Sequence, residues 1–234
     1  MDVPHDIINA YQSARLQYIR ADALDEDFKS FVPQIEQDPV IQVLAAPTML
    51  KPKGKTDFNS YAESVAASLL GVAVCLLPEE ERKRELEGSA GSSMQEPDEA
   101  HEDKLAECHE RGKKPTIIGV MCLGWGGISP SIAHHRSAPI GISLSKPYQN
   151  RGYGREAIDW MLDWAFKHAG LHSVTISAAS YNPRAIHLYQ GIGFSLDGRR
   201  RETIWYNRGW HDELDFGMTE REWEGLRGFE PSRT

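Results

Sequence analysis

Cysteines are few in this sequence, and their arrangement indicates neither a disulfide framework nor a metal site. The three cysteines, Cys75, Cys108 and Cys122, form no CxxC pair, and an odd number in a chain of 234 residues is typical of a reducing compartment. His101 and His109 lie near Cys108, but their spacing matches no zinc pattern. We therefore predict a cytoplasmic protein that holds no metal.

Long hydrophobic runs and an excess of basic charge are also missing. No run approaches the roughly 18 apolar residues of a membrane span, and residues 1–17 lack the apolar segment of a signal peptide. The formal net charge is −8 at pH 7, and 12 acidic against 7 basic residues between Glu79 and Lys114 supply most of it. Such a chain lacks the basic face of a nucleic-acid-binding protein. These absences predict that neither a membrane nor a nucleic acid is a partner.

What the sequence does have is the composition of a soluble globular domain, with 40% hydrophobic and 26% charged residues. We predict one domain over residues 1–234, interrupted by an insertion over residues 78–115. The insertion is highly charged around a Gly/Ser centre and has too little apolar surface to repay the entropy of ordering. We expect a mobile surface loop between two strands, and docking of a partner is the alternative role.

Hydrophobic periodicity predicts a mixture of strands and helices. Alternation or continuous apolar runs predict seven strands, over residues 15–20, 69–77, 116–123, 141–145, 174–178, 201–206 and 210–218. Apolar residues three and four apart predict helices that begin near residues 25, 57, 153 and 182. The order strand, turn, helix, strand between residues 141 and 178 predicts a parallel or splayed crossover in an otherwise antiparallel sheet.

The stretch from Gly141 to Ala169 combines a short apolar strand, a glycine-bearing turn and an amphipathic helix. Gly152 and Gly154 permit backbone conformations and close approaches that a Cβ would prevent, and the helix that begins there directs free N–H groups over the turn. A turn of this kind binds anions, and phosphates in particular.

Two nucleotide-binding motifs can be compared with this turn. Residues 152–157 fit the GxGxx[GA] pattern of a dinucleotide-binding protein, but the next strand ends in residues 177–180, SAAS, without the carboxylate that holds the ribose. A P-loop is excluded because the sequence contains no GxxxxGK[ST] segment. A NAD(P)-dependent oxidoreductase is therefore the less favoured alternative.

The same turn resembles the acetyl-CoA-binding motif [QR]-x-x-G-x-[GA] of the GNAT acetyltransferase superfamily, in the form of residues 149–154, QNRGYG. Residues 182–194, NPRAIHLYQGIGF, look like the family's N-x-x-A-x-x-x-Y-x-x-x-G-F segment. Residues 205–218 are similar to the branch that acetylates ribosomal-protein N-termini and polyamines. The resemblance is clear over residues 116–223 and extends to residues 15–77 only in the order of elements.

This resemblance implies a mixed α/β fold with a twisted, mainly antiparallel sheet of six or seven strands, splayed central strands and flanking helices. It implies acetyl-CoA as cosubstrate, held by Ile142, Ser143, Leu144, Gln149, Asn150, Arg151, Gly152, Tyr153, Gly154, Arg155 and Asn182. Tyr189 matches the family tyrosine that protonates the departing thiolate, and a buried core tyrosine is the alternative. Three arginines would lie either at the 3′-phosphate or in a solvated turn: Arg199, Arg200 and Arg201.

The catalytic base is the least specified part of the predicted site. No carboxylate lies on the strand over residues 141–145, where some relatives carry the base. His134 and His135 precede that strand, and histidine is a common catalytic base, although a loop pair without catalytic duty is the favoured interpretation. Three aromatic residues are equally candidates for an acceptor pocket and for the core: Trp125, Tyr181 and Trp210.

We therefore predict direct transfer of an acetyl group from acetyl-CoA to a primary amine of a small molecule, peptide or protein. No covalent enzyme intermediate is expected, since no motif places a cysteine as nucleophile. A catalytically silent CoA-binding module is the alternative from another class of function. The sequence leaves the acceptor and the oligomeric state open.

Overall fold

The computed structural model describes residues 9–45, 48–89 and 114–229. Most of the predicted insertion, residues 90–113, lies outside these ranges. The predicted mobility of that segment therefore concerns residues that the structure does not describe. The described ranges form one sheet with apolar side chains packed on both of its faces.

Among the described residues, seven strands form a mixed sheet: β1 (Leu16–Arg20), β2 (Leu70–Leu76), β3 (Ile117–Leu123), β4 (Ser137–Leu144), β5 (Ser173–Ala179), β6 (Ser195–Tyr206) and β7 (Gly209–Thr219). Their order across the sheet is β1-β2-β3-β4-β5-β7-β6. Neighbouring strands are antiparallel except β4 and β5, which are parallel. The predicted mainly antiparallel sheet is thus confirmed, and it differs from the parallel sheet of a dinucleotide-binding fold.

Within the same ranges, seven α-helices flank the sheet: α1 (Glu26–Glu36), α2 (Pro39–Ala45), α3 (Lys55–Ala67), α4 (Pro78–Ser89), α5 (Tyr153–Lys167), α6 (Pro183–Ile192) and α7 (Glu220–Arg227). Side-chain caps fix two of the predicted helix starts. Asp25 accepts a hydrogen bond from Phe28 N at 2.8 Å, and Asn182 accepts one from Ala185 N at 3.2 Å.

Two helices occur where the sequence predicts none. The Asp38 carboxylate accepts a hydrogen bond from a backbone N–H in the first turn of α2 at 2.8 Å, so Pro39 begins a helix. Pro78 begins α4, and three glutamates in its first turn suit the positive end of the helix dipole. The predicted loop is therefore wrong over the 12 residues of α4, because a helix made mostly of charged residues shows no apolar periodicity.

β4 and β5 lie side by side only at their N-terminal ends, where residues 137–139 pair with residues 173–175. Farther along, β4 stays paired with β3 as far as Leu144, and β5 stays paired with β7 as far as Ala179. The two strands therefore separate toward their C-terminal ends. This separation confirms the predicted splayed central strands and leaves an opening in the middle of the sheet.

Replacing Asp163 by asparagine should destabilise the fold by about 1–2 kcal/mol near pH 7, because Asp163 on α5 anchors α7. Its Oδ1 accepts hydrogen bonds from Trp223 Nε1 and Arg227 Nε, both at 2.9 Å. Burial alone would raise the pKa of Asp163, but these bonds outweigh burial and lower that pKa. The stabilisation is therefore present above the ordinary aspartate pKa of 3.8 and is lost as the pH falls below it.

Urea unfolding of the wild type and of Asp163→Asn, near neutral pH and again in acid, measures this difference. Glu63→Gln changes an exposed carboxylate on α3 and is the matched control, which should unfold as the wild type does. Equal free energies of unfolding for the wild type and Asp163→Asn near pH 7 would contradict the anchoring role.

Candidate active site

A cavity of about 420 Å³ lies in the opening between β4 and β5. β4 contributes residues 140–144 to its wall, and β5 contributes Ile176 and Ser177. The glycine turn, α6 and α2 line the rest. The cavity brings together ten of the twelve predicted site residues: Ile142, Ser143, Leu144, Gln149, Asn150, Gly152, Gly154, Arg155, Asn182 and Tyr189. The other two, Arg151 and Tyr153, do not line it.

The cleft side of β4 offers unpaired backbone groups. The backbone hydrogen bonds at residues 139 and 145 run toward β3 at 2.8 and 2.9 Å, so odd-numbered residues of β4 direct their backbone groups to β3. Ile142 and Leu144 therefore direct theirs into the cleft, where β5 has diverged. The Leu144 carbonyl accepts a hydrogen bond from Gln149 Nε2 there, so it is not among the groups left unpaired. An extended ligand can pair with such an edge as an added strand does. Ser143 differs from its two neighbours, because its backbone groups point toward β3.

The glycine turn presents free N–H groups at the start of α5. Gly152 has a φ of 83°, in the left-handed region that glycine adopts without strain. The first helical backbone bond runs from Glu156 N to Gly152 O at 3.1 Å, so the N–H groups of residues 153–155 have no acceptor within the helix. Together with the helix dipole, these groups give one end of the cavity the properties that suit an anion.

Arg184 closes the cleft over the turn, and the sequence did not single it out. Its guanidinium donates to Gln149 Oε1 at 3.1 Å and to Asn150 Oδ1 at 3.2 Å. Gln149 in turn donates through Nε2 to Leu144 O at 2.8 Å. The first helical turn of α6 is thereby connected to β4 through Gln149 of the predicted motif.

The side chains of Arg151 and Tyr153 point away from the cavity, so only their backbone can contribute to it. Tyr153 is 2% exposed and belongs to the core. Arg151 O accepts a hydrogen bond from Arg15 Nη1 at 3.0 Å, and Arg15 Nε pairs with Glu156 Oε2 at 2.8 Å. Arg15, the residue before β1, thus stabilises the turn through its bonds to Arg151 and Glu156.

α4 contacts tyrosines on both sides of the same turn. The Tyr153 hydroxyl donates to Glu80 Oε1 at 2.5 Å, and the Arg84 guanidinium lies 4.3 Å from the centre of the Tyr148 ring. Tyr148 and Tyr153 flank the glycine turn on either side in the sequence. The helix that replaces the predicted loop is therefore part of the support of the candidate cofactor site.

Tyr189 on α6 is buried beside the cavity that it lines. Its ring lies 5.9 Å from the Phe216 ring in an edge contact and 6.2 Å from the Phe194 ring. Burial raises the pKa of Tyr189 to about 12, so the hydroxyl is protonated throughout the neutral range. Both interpretations of this residue have support, since it packs in the core and also faces the cleft.

A second cavity of about 420 Å³ adjoins the first and shares residues 140–143 of β4 with it. Glu36, Lys53, Tyr61 and Trp125 are among its lining residues. Glu36 Oε2 and Lys53 Nζ lie 3.0 Å apart, with side chains only 13% and 15% exposed. Of these four residues the sequence predicted only Trp125, because the others lie more than 80 positions from the recognised motif.

Tyr61 connects the second cavity to β4. Its hydroxyl interacts with the Ser143 side chain, and its ring lies 5.2 Å from the Trp125 ring. Burial raises the pKa of Tyr61, and the nearby Glu36 carboxylate adds to the shift. Tyr61 is therefore a neutral hydrogen-bonding group at the junction of the two cavities.

Several other candidates lie apart from both cavities. His134 and His135 are exposed in a short turn before β4 and line neither cavity. Tyr181 donates to Val43 O at 2.9 Å, and Trp210 is exposed in the β6–β7 hairpin. Of the three predicted acceptor-pocket aromatics, only Trp125 lines a cavity.

The arginines of β6 pair with acidic residues of β7. Arg199 bonds Asp212, and Arg200 Nη2 lies 3.0 Å from Glu213 Oε2. All three arginines, including Arg201, are largely exposed and line neither cavity. This placement favours the solvated hairpin over a phosphate contact.

The fold and the cleft define an α/β protein in which two splayed strands leave an opening beside the free N–H groups of the glycine turn. The chain belongs to the GNAT acetyltransferase family, since the family model described as "Acetyltransferase (GNAT) domain" matches residues 22–195. The resemblance that residues 149–154 and 182–194 indicate is thereby confirmed.

Two curated relatives illustrate the similarity. The chain is 35% identical over 78 residues to spermidine N(1)-acetyltransferase of Vibrio cholerae, covering 33% of this chain and 45% of that protein. It is 31% identical over 91 residues to the putative ribosomal N-acetyltransferase YdaF of Bacillus subtilis, covering 39% and 50%. The chain thus spans about half the length of the curated relatives that it matches.

Solved structures share the fold over most of the chain. Spermidine N-acetyltransferase from Vibrio cholerae, in complex with CoA and spermine, aligns with a TM-score of 0.64 at 18% identity, covering 90% of this chain and 99% of that one. A GNAT-family acetyltransferase from Bacillus anthracis aligns with a TM-score of 0.62 at 15% identity, covering 90% and 98%. At such identities the likeness concerns the fold alone.

Two features are absent from the described ranges. None of the helices there has both the length and the apolar character needed to cross a membrane. In the same part of the chain, His, Cys, Asp and Glu side chains form no group of three or more that could hold a metal ion.

Proposed function

We propose that this protein transfers an acetyl group from acetyl-CoA to a primary amine. The observation that carries the proposal is the cleft between β4 and β5, where a free strand edge, a helix N-terminus and Tyr189 line one cavity. Relatives named spermidine N(1)-acetyltransferase and putative ribosomal N-acetyltransferase make a polyamine and a protein N-terminus candidate acceptors.

The residues of the cleft fit the parts of CoA. The N–H groups of residues 153–155 and the positive end of α5 suit a pyrophosphate, and Arg184 adds positive charge beside them. The backbone groups of Ile142 and the N–H of Leu144 suit the amides of the pantetheine arm. When bound, acetyl-CoA supplies the activated acetyl group.

Glu36 is the proposed proton acceptor of the transfer, and Tyr189 is the proposed proton donor. Glu36 is the only carboxylate among the described residues that line either cavity. It accepts a proton from the ammonium form of the acceptor, directly or through water, so that the nitrogen lone pair is free to form the new C–N bond. The nitrogen loses a further proton to water as it becomes an amide, and water later restores the proton that Tyr189 gives up. Tyr189 donates its hydroxyl proton to the thiolate sulfur that departs as the C–S bond breaks.

An acceptor screen tests the proposed function. The protein is mixed with acetyl-CoA and a panel of amines, and release of the CoA thiol is followed together with the mass of the product. We expect thiol release that requires a particular amine. Binding of CoA without turnover on any acceptor would identify a catalytically silent module, and thermal stabilisation by NAD(P) but not by CoA would favour an oxidoreductase.

Gly154→Ala should weaken CoA binding by about tenfold or more, because the added methyl group occupies space at the turn where the backbone approaches the ligand. The free protein tolerates this methyl group, since its nearest neighbours would be Leu144 Cδ1 at 3.7 Å and Leu188 Cδ2 at 3.8 Å. Folding stability should therefore stay equal or rise slightly. Calorimetric titration with CoA measures the affinity, and thermal unfolding measures the stability.

Gly225→Ala is the matched control for this change. Gly225 lies within α7, and a Cβ there would meet nothing within 4 Å. It should bind CoA as the wild type does. Unchanged CoA affinity in Gly154→Ala would remove the turn from the proposed site.

A further inference from the structure

The second cavity is lined by the ion pair of Glu36 and Lys53, and the proposed reaction uses only Glu36. Lys53 Nζ lies 3.0 Å from Glu36 Oε2, and both side chains are largely buried. In the part of the chain that the structure describes, Glu36 is the hydrogen-bond partner of the Lys53 ammonium. An ammonium group has three N–H donors, so two of them are available to a ligand in the cavity.

The position of this pair favours recognition over structural support. A buried ion pair is often no more stabilising than apolar residues of the same volume. This pair lines the wall of an open cavity between the end of α1 and the segment that leads into α3. A few charged groups placed on such a wall typically fix the orientation of a ligand.

The charge of the lining residues argues against a polyamine acceptor. A polyamine carries several ammonium groups at neutral pH, and each needs a partner when it leaves water. Glu36 is the one carboxylate among the described lining residues, and Lys53 already balances its charge. A second ammonium group would therefore lie against Lys53 without a carboxylate to stabilise it.

We propose that the acceptor carries a carboxylate close to its amine, as a free amino acid or a peptide that begins with an acidic residue does, and that Lys53 binds this carboxylate. This inference rests on the proposed acetyl transfer. The amine lies at Glu36 and the carboxylate at Lys53, so each charged group of the acceptor lies beside a side chain of opposite charge. The paired rings of Tyr61 and Trp125 contact its apolar part. A cavity of about 420 Å³ has room for such a molecule.

Matched pairs of acceptors test the inference on the unaltered protein. Free amino acids are compared with their carboxamides, and peptides that begin with an acidic residue are compared with their amide counterparts, with spermidine alongside. Rates are compared at equal concentrations of neutral amine, because the carboxylate also changes the basicity of the amine. We expect about 10- to 100-fold higher kcat/KM for the carboxylate-bearing member of a pair. The type of pair that shows the difference identifies the source of the carboxylate.

A pair of lysine variants then assigns the effect to Lys53. Lys53→Gln should abolish the preference, so that the two members of a pair have about equal kcat/KM. The absolute rates on both members are expected to change as well, because Glu36 loses its ion-pair partner, and the ratio within the pair is therefore the measured quantity. Lys51→Gln is the matched control and should keep the preference, because Lys51 is exposed and pairs with Asp57 at 3.4 Å outside the cavity lining. Thermal unfolding and CoA titration of Lys53→Gln establish that the variant is folded.

Three results would overturn the inference, and they can be told apart. Faster acetylation of spermidine than of any carboxylate-bearing amine, or equal kcat/KM within every pair, overturns it while acetyl transfer stands. A preference that survives Lys53→Gln in a folded protein overturns the role of Lys53. Absence of thiol release with every acceptor overturns the proposed function itself, and this inference with it.

Discussion

Replacing Tyr189 by phenylalanine should lower kcat by about 10²- to 10⁴-fold, the usual contribution of a positioned proton donor. The affinity for CoA and the free energy of unfolding should change little, because the ring keeps its contacts with Phe194 and Phe216. Steady-state thiol release measures kcat, and calorimetric titration measures CoA affinity. The loss should therefore appear in the chemical step and not in binding.

The pH profile adds an independent check on Tyr189. Burial raises its pKa to about 12, so its hydroxyl remains a donor at every pH below that value. Titration of Tyr189 should therefore cause no decline in kcat at alkaline pH. The wild type and Tyr189→Phe should differ in the size of kcat but not in its dependence on alkaline pH. Tyr206→Phe is the matched control, since Tyr206 lines neither cavity. Wild-type kcat in Tyr189→Phe would leave this tyrosine with a packing role alone.

Replacing Glu36 by glutamine should lower kcat/KM for the amine by about 10²- to 10⁴-fold near neutral pH, because the acceptor loses the group that takes its proton. The deficit should shrink as the pH approaches the pKa of the amine, where neutral amine is already abundant. Acetyl transfer measured across the pH range therefore separates a lost base from a misfolded protein, whose activity would stay low at every pH.

A control on the same helix isolates the effect of Glu36. Glu26→Gln removes an exposed carboxylate from the first turn of α1, where Glu26 pairs with Lys29 at 3.0 Å. It should retain full activity and CoA affinity. If kcat/KM of Glu36→Gln stays within about twofold of the wild-type value across the pH range, water and not Glu36 accepts the proton.

The proposed cofactor side of the candidate site could be predicted from the sequence because its residues are close together along the chain. Residues 149–154 and 182–194 are short local patterns, and β4 precedes them directly, so one motif specifies most of one cavity wall. Ser143 shows the limit of this reasoning. A list of strand residues does not say which of them face the cleft, and that depends on the register with β3.

The acceptor side was missed for a different reason. Glu36, Lys53 and Tyr61 come from two helices and a connecting segment that belong to no local motif. Their functional meaning depends on tertiary packing against β4, which no periodicity reports. The search for a base on β4 itself therefore found none, although a carboxylate lies across the second cavity from that strand.

α4 was missed because its stabilisation is also tertiary. Its 12 residues have the composition of a solvated loop, and the sequence gives no apolar face to recognise. What the structure adds is the contact of Glu80 with the Tyr153 hydroxyl. Charged residues that bond to a distant turn look the same in a sequence as charged residues in water.

These contacts of α4 limit how the chain can be shortened between β2 and β3. Joining the two strands by a tight hairpin would delete Glu80 and Arg84, the residues that meet Tyr153 and Tyr148 on either side of the glycine turn. A trimmed protein intended for crystallisation or engineering should therefore keep residues 78–87. Although its composition is that of a loop, this segment supports the proposed cofactor site, and deleting it would remove those contacts.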